Sequence, residues 1–218
     1  MTPAAFVSSL CALTFAEVFN PYSDRCEVYD KADAPARRTR TLTRMLEAAS
    51  QCQLDSIWIG RDLGHRGGRR TGLALTDDIH IEAHAARWDL QAPRPTKGHA
   101  VAERTAAVIW SVLHEVDVPI FLWNVFPLHP HEPGDPFTNR AHNARERLVG
   151  EEILREIVTL LRPARLVAIG GDAAKCAHRI AGELDVVQIR HPSYGGQNDF
   201  LRQARKLYNV DPFPLFRS

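Results

Sequence analysis

Three polar residues, each closing an apolar run, define the chemistry this chain could perform. Asp62 follows Ile57-Trp58-Ile59-Gly60, Asn124 follows Phe121-Leu122-Trp123, and His191 follows the run 186–190. A carboxylate moves protons or faces positive charge. A primary amide offers a donor and an acceptor together, and an imidazole changes state near neutral pH. In an open parallel sheet the carboxyl ends of the strands share one edge, and ligands bind in the crevice there. The three positions therefore predict an acid, an amide and an imidazole converging on one pocket. A glycine- and arginine-rich loop follows Asp62 and carries Arg61, Arg66, Arg69 and Arg70, while Lys97, Arg140 and Arg190 lie near the other segments. Such clustering presents a positive face to an anion. The plainer alternative is a set of solvated loop arginines.

Positioning these residues takes a sheet and the helices that cover it. The chain has 218 residues, 44% hydrophobic and 24% charged, with a net charge of +1. That suits one domain, residues 1–218, with a sizeable core, and no global charge demands a nucleic-acid partner. Apolar spacing predicts helices over 2–18, 37–53, 98–116, 144–161, 173–183 and 196–207, and a short one near 79–84. Strands are expected over 54–60, 118–123, 165–169 and 186–190, with long loops over 61–95 and 126–143 and an irregular tail over 212–218. Alternating strand and helix implies α/β architecture, a three-layer α/β/α sandwich around a short, mostly parallel four-stranded sheet. Cys11, Cys26, Cys52 and Cys176 form no C-x-x-C pair, so reduced, mostly buried thiols are expected. No run is long enough to span a bilayer, and residues 4–19 lack the basic start of a signal peptide, so the expected location is the cytoplasm.

The run Gly60-Arg61-Asp62-Leu63-Gly64-His65-Arg66-Gly67-Gly68-Arg69-Arg70-Thr71-Gly72-Leu73-Ala74-Leu75 resembles the first signature of the uracil-DNA glycosylase superfamily, G-Q-D-P-Y-H-x-P-G-x-A-x-G-L-x-F in its best-known branch. His191-Pro192-Ser193 is similar to the second signature, H-P-S, and Asn124 stands where the family's uracil-reading asparagine lies. The resemblance implies a single glycosylase-like domain that cleaves uracil from DNA and leaves an abasic site, the opening step of base-excision repair. It implies a base flipped out of the stack, no metal or organic cofactor, and uracil-containing DNA as partner; a monomer fits an enzyme that scans DNA.

By the same resemblance, Asp62 orients or deprotonates the attacking water and faces the cationic sugar. His191 holds uracil O2, and Asn124 pairs with N3–H and O4. Gly60, Arg61, Leu63, Gly64, His65 and Leu75 line the base; Arg66, Arg69, Arg70, Ser193, Tyr194, Gly195, Gly196 and Gln197 meet the DNA. Several letters depart from the best-known branch. Gly64 replaces the aromatic residue that excludes the thymine methyl, leaving that task to backbone, Leu63 or the second loop. Leu75 replaces the stacking phenylalanine, and Arg61 adds charge beside Asp62. Tyr194 or Gln197 stands where an apolar wedge fills the vacated stack. Iron–sulfur branches need a cysteine set absent here, which points to a divergent branch without a cluster.

Other readings of the same residues stay open at this level. Asp62 could be a loop or capping aspartate, Asn124 a turn residue, His191 a structural histidine and His65 part of either pocket or scaffold. His129 and His131 have the look of a metal pair but fit solvent-facing loop histidines. Two other functions fit: a superfamily member that binds or covalently traps deaminated-base DNA, or prefers hypoxanthine or xanthine; and a nucleotide or phosphate-ester hydrolase. The hydrolase would draw on Asp77-Asp78-Ile79-His80, a spacing that suits a solvated turn equally well.

Overall fold

The computed structural model describes residues 1–210; the tail predicted over 212–218 lies outside the described residues. The elements run α1 (Pro3–Cys11), β1 (Val18–Phe19), α2 (Ala34–Ser50), β2 (Ser56–Asp62), α3 (Gly68–Thr71), α4 (Ile81–Ala86), α5 (Arg104–Leu113), β3 (Ile120–Phe126), β4 (His129–Pro130), α6 (Ala144–Leu161), β5 (Arg165–Ile169), α7 (Gly171–Ile180), β6 (Asp185–Ile189) and α8 (Gln197–Leu207). The main sheet has the order β3-β2-β5-β6, and all three pairings are parallel. β1 and β4 form a separate antiparallel ribbon.

Side chains alternate across each strand, and the two faces bury different cores. Ile57, Ile59, Phe121, Trp123, Val125, Leu166 and Ala168 pack with residues of α1, α2, α6 and α7. Trp58, Ile120, Leu122, Val167 and Ile169 pack with residues of α5 and α8. The expected three-layer sandwich is thus the observed one. Burial on both faces explains why β2 and β3 read as unbroken apolar runs.

Boundaries move where tertiary partners intervene. The helix expected over 2–18 stops at Cys11, because the Asn20 side chain donates to the carbonyls of Leu10 (2.8 Å) and Leu13 (3.1 Å) and turns the chain toward β1. α2 starts earlier than expected, at Ala34, with Pro35 in its first turn, where a missing N–H costs nothing. α5 starts at Arg104 and not at 98, since the Val101 and Glu103 N–H groups are taken by Asp78 (3.2 Å) and Asp77 (2.6 Å). β2 and β3 run two and three residues beyond their expected ends, so Asp62 and Asn124 belong to strands and do not merely follow them. Ladder bonds from parallel neighbours hold a polar residue in a strand as firmly as an apolar one.

Candidate active site at the carboxyl edge of the sheet

Asp62 is the last residue of β2, opposite Phe126 of β3. Its side chain is 6% exposed, and both oxygens are engaged. Oδ2 accepts from Arg61 Nε at 2.8 Å, and Oδ1 is bonded to Nδ1 of His142. Arg61 also reaches toward Asp172 in the first turn of α7, 3.6 Å away. His142 comes from the loop before α6 and lies edge-on to the Phe126 ring. His142 has no signal in the sequence, since a histidine inside the long 126–143 loop carries no spacing pattern. Beside this cluster opens a groove of about 520 Å³ lined by Arg61, His142, Asn143, Asp172, Lys175 and Arg179 among others.

Asn124 sits inside β3 in register with Gly60 of β2, following Ile120 and Leu122 toward the α5 face. It is 1% exposed, and among the described residues neither its Oδ1 nor its Nδ2 has a hydrogen-bond partner. A buried amide left unpaired costs about 1–3 kcal/mol. Gly60 is required beside it: a Cβ there would collide with Asn124 Oδ1 and come 2.9 Å from Leu75 Cδ2. Leu75 itself is held in the left-handed region (φ 55°), with its carbonyl accepting from Trp110 Nε1 at 3.1 Å. Such strain in a non-glycine residue is a mark of constrained sites.

His191 follows β6 at the same edge. Its Nδ1 accepts the Ser193 backbone N–H at 3.1 Å, which assigns the ring proton to Nε2 as a donor. Burial pulls its pKa below the ordinary value, and the nearby Arg61 and Arg190 pull it the same way, so the neutral ring prevails at pH 7. Ser193 Oγ lies 3.4 Å from Thr105 Oγ1, tying the turn to the first turn of α5. Tyr194 at the turn's tip is 98% exposed with φ 54°, Gly195 and Gln197 are exposed, and Gly196 is buried.

The loop after Asp62 holds an unforeseen neighbour. Glu103, the residue just before α5, lays its carboxyl group against Gly64, where any Cβ would strike its Oε1. Burial first, and the charge of Asp77 second, push the Glu103 pKa up to about 7, against the pull of Arg66. Leu63 is 3% exposed and packs in the core with Trp58 and Ala74; it is not an open pocket wall. His65 is tied to the second loop, its backbone N–H and Nδ1 both meeting Asn139 Oδ1 at 2.8 and 3.3 Å. Of its two roles, the observed bonds are those of scaffold.

Two of the arginines expected on the DNA face are inside the protein. Arg69 is 3% exposed, with its guanidinium 4.0 Å from the Phe19 ring centroid and bonded to the Tyr29 hydroxyl. Arg70 is 7% exposed, pairs with buried Asp78 at 2.7 Å and stacks 4.1 Å over Tyr29. Arginine's flat, weakly hydrated head suits such burial. Arg66 stays exposed, with Nε donating to the Ala102 carbonyl at 3.3 Å. Removing one partner of a buried pair costs about 3–5 kcal/mol. Arg70→Ala is therefore expected to lower unfolding free energy by that amount in urea titration. The salt dependence of DNA affinity should be unchanged in the folded variant; a slope reduced by about one ion would return Arg70 to the phosphate surface.

Other expected groups are also spent internally. His129 is fully buried, not solvent-facing: its Nδ1 bonds the Leu63 carbonyl at 2.7 Å, and burial pulls its pKa down to about 4. His131 Nδ1 lies 3.0 Å from the Glu132 carbonyl oxygen. Asp77 is no solvated turn, since it is fully buried and holds the N–H groups of Ile79, His80 and Glu103. Asp78 serves Arg70, Thr96 and Val101. The carboxylates on which a hydrolase would draw are thus committed to the fold. Among the cysteines Cys26 and Cys176 are buried, whereas Cys52 is exposed; all four are free.

No curated protein matches the chain in sequence. Among solved structures, wild-type SMUG2 of Pedobacter heparinus superposes with a TM-score of 0.65 at 15% identity, over 96% of this chain and 97% of that one. A mutant of UNG from Nitratifractor salsuginis matches with a TM-score of 0.43 at 14% identity, over 95% and 96% of the two chains. No helix among the described residues is long and apolar enough to cross a membrane. The family model described as uracil DNA glycosylase superfamily matches residues 83–210, more than half of the chain and inclusive of Asn124 and His191. The chain belongs to the uracil DNA glycosylase superfamily.

Proposed function

We propose that this protein is a monofunctional glycosylase that hydrolyses the bond between deoxyribose C1′ and uracil N1 in DNA and leaves an abasic site. The observation that carries the reading is the Asn124 amide, buried and, among the described residues, without a partner on either atom. A folded chain tolerates that cost where a ligand supplies the missing bonds. Uracil offers N3–H as a donor and O4 as an acceptor, the complement of one amide. Cytosine presents the reverse pattern and would leave buried groups unpaired.

The rest of the edge suits the same reaction. As the C1′–N1 bond breaks, positive charge grows on the sugar and negative charge on the base. The Asp62 carboxylate is the anion for the sugar. His191, neutral with its proton on Nε2, donates to uracil O2 and holds the departing anion, a role worth about 10²–10³-fold. Leu75 gives apolar contact to the base, and the Glu103 carboxyl, which lies against Gly64, screens out the thymine methyl in this reading. Exposed Tyr194 is the wedge for the vacated stack, while Arg66, Lys175 and the Gly195 backbone face the phosphates.

A panel of DNA substrates tests the reading. Uracil, thymine, cytosine, hypoxanthine and xanthine are offered in single and double strands, with no added metal. Uracil is expected to be released at least about 100-fold faster than thymine or cytosine, and Tyr194→Ala should slow release from duplex more than from single strands. Comparable thymine release would deny Glu103 its screening role. A purine released in preference to uracil moves the protein to the second reading, that of another deaminated base, which the ionisable Glu103 edge favours. Release of no base at all ends the proposal.

A further inference from the structure

The Asp62–His142 contact has the bonding of a proton-transfer dyad. Asp62 Oδ2 is occupied by the Arg61 guanidinium, and Oδ1 faces His142 Nδ1. A carboxylate that accepts from arginine is acceptor-only, so the Nδ1 atom opposite must be the donor. In the neutral ring the proton then sits on Nδ1, and the lone pair is left on Nε2. The His142 side chain is 9% exposed and lines the groove of about 520 Å³ that also meets Arg61, Asp172 and Lys175, so solvent reaches the ring's neighbourhood. The ring is held from two sides: the Asp62 carboxylate on one and the edge of Phe126 on the other.

We propose that His142 is the general base of the glycosylase reaction and that Asp62 orients it, an inference that rests on the function proposed above. Nε2 of His142 accepts a proton from water as the water oxygen bonds to C1′. The C1′–N1 pair leaves with the base as an anion held by His191 Nε2–H. The proton taken from water then resides on His142 as an imidazolium paired with Asp62, and passes to solvent or to the released base. Asp62 keeps its charge throughout and faces the cationic sugar and the imidazolium in turn. This divides between two residues the roles that a lone carboxylate would have to combine, with the ring fixed in its reactive tautomer before substrate arrives.

His142→Asn separates the base from the clamp. The asparagine amide can donate to Asp62 Oδ1 from nearly the place of Nδ1, but it offers no basic atom. Single-turnover release of uracil is measured from pH 5 to 9, with DNA affinity measured in parallel by fluorescence anisotropy. Wild type should lose activity toward acid, the limb expected of any step that needs an unprotonated base. The groups facing that ring are Asp62 and Arg61 from β2, Arg140 beside it in the loop, Glu146 from α6, and Asp172, Lys175 and Arg179 across the groove. In His142→Asn the rate is expected to fall about 10²–10⁴-fold, the acid limb to vanish and DNA affinity to stay within about threefold of wild type. His142→Gln, lacking the clamp as well, should be as slow or slower; it stands in if the asparagine variant misfolds. A His142→Asn enzyme within tenfold of wild type, or one that keeps the acid limb, assigns proton transfer elsewhere and overturns the dyad. Wild type releasing no base from any DNA defeats the parent reading and the dyad together, whereas an active wild type beside an active variant defeats the dyad alone.

Discussion

Asp62→Asn is expected to lower single-turnover uracil release by about 10²–10⁴-fold while leaving DNA affinity and folding close to wild type. The substitution keeps the size of the side chain and removes its charge. The lost charge matters in two places. The sugar carries positive charge in the transition state, and in a water-poor site a fixed anion stabilises it far more than solvent would. The His142 ring also loses the acceptor that holds its proton on Nδ1; an amide can turn its NH₂ toward the ring and select the opposite tautomer. The Arg61 contact is partly kept, because the amide oxygen still accepts from Nε, and Arg61 has Asp172 as a second partner. The measurement is rapid-quench release of uracil from duplex DNA, paired with thermal unfolding. A variant within threefold of wild type would reduce Asp62 to a strand-end carboxylate that merely anchors Arg61 and His142.

Asn124→Ala is expected to separate activity from stability. With the amide gone, two polar groups of the flipped base enter a buried site with no partner, at about 1–3 kcal/mol each. The loss in kcat/KM is therefore from about 30-fold to about 10⁴-fold. The free protein should be as stable as wild type or more so, since the substitution deletes a buried amide that has no partner among the described residues. A scaffold asparagine would behave the opposite way, with lost stability and little lost activity. Gly60→Ala supports the same test from the neighbouring strand. Its new methyl group meets Asn124 Oδ1 and crowds Leu75, so it should turn the amide away from the base and reduce release without touching any reacting group. Urea unfolding and steady-state release on the two variants check both halves; a destabilised and fully active Asn124→Ala enzyme would remove the base-reading role.

The layered α/β architecture was legible from residue order because it rests on short-range periodicity. Ile57 and Ile59 alternate with Trp58, and Phe121 and Trp123 alternate with Leu122, in the pattern of a strand buried on both sides. The helix at Ala144–Leu161 and the strand at Arg165–Ile169 lie where their apolar spacing predicts. Parallel connection then forces every strand's carboxyl end to one edge, which is why Asp62, Asn124 and His191 could be assigned to that edge before any contact was known.

What side chains do at that edge depends on which distant segments pack there, and no local pattern encodes it. His142 reaches Asp62 across a separation of 80 residues, and Glu103 covers Gly64 from just before another helix. Arg69 and Arg70 have the composition of a phosphate-binding loop, yet Phe19, Tyr29 and Asp78 draw them inward. Residue types and their order determined the fold class and the three polar positions at its edge, since backbone periodicity is local. Only the tertiary structure decided which carboxylates and arginines are free to meet a ligand, because a charged group's partner is set by loop packing between residues far apart in the chain.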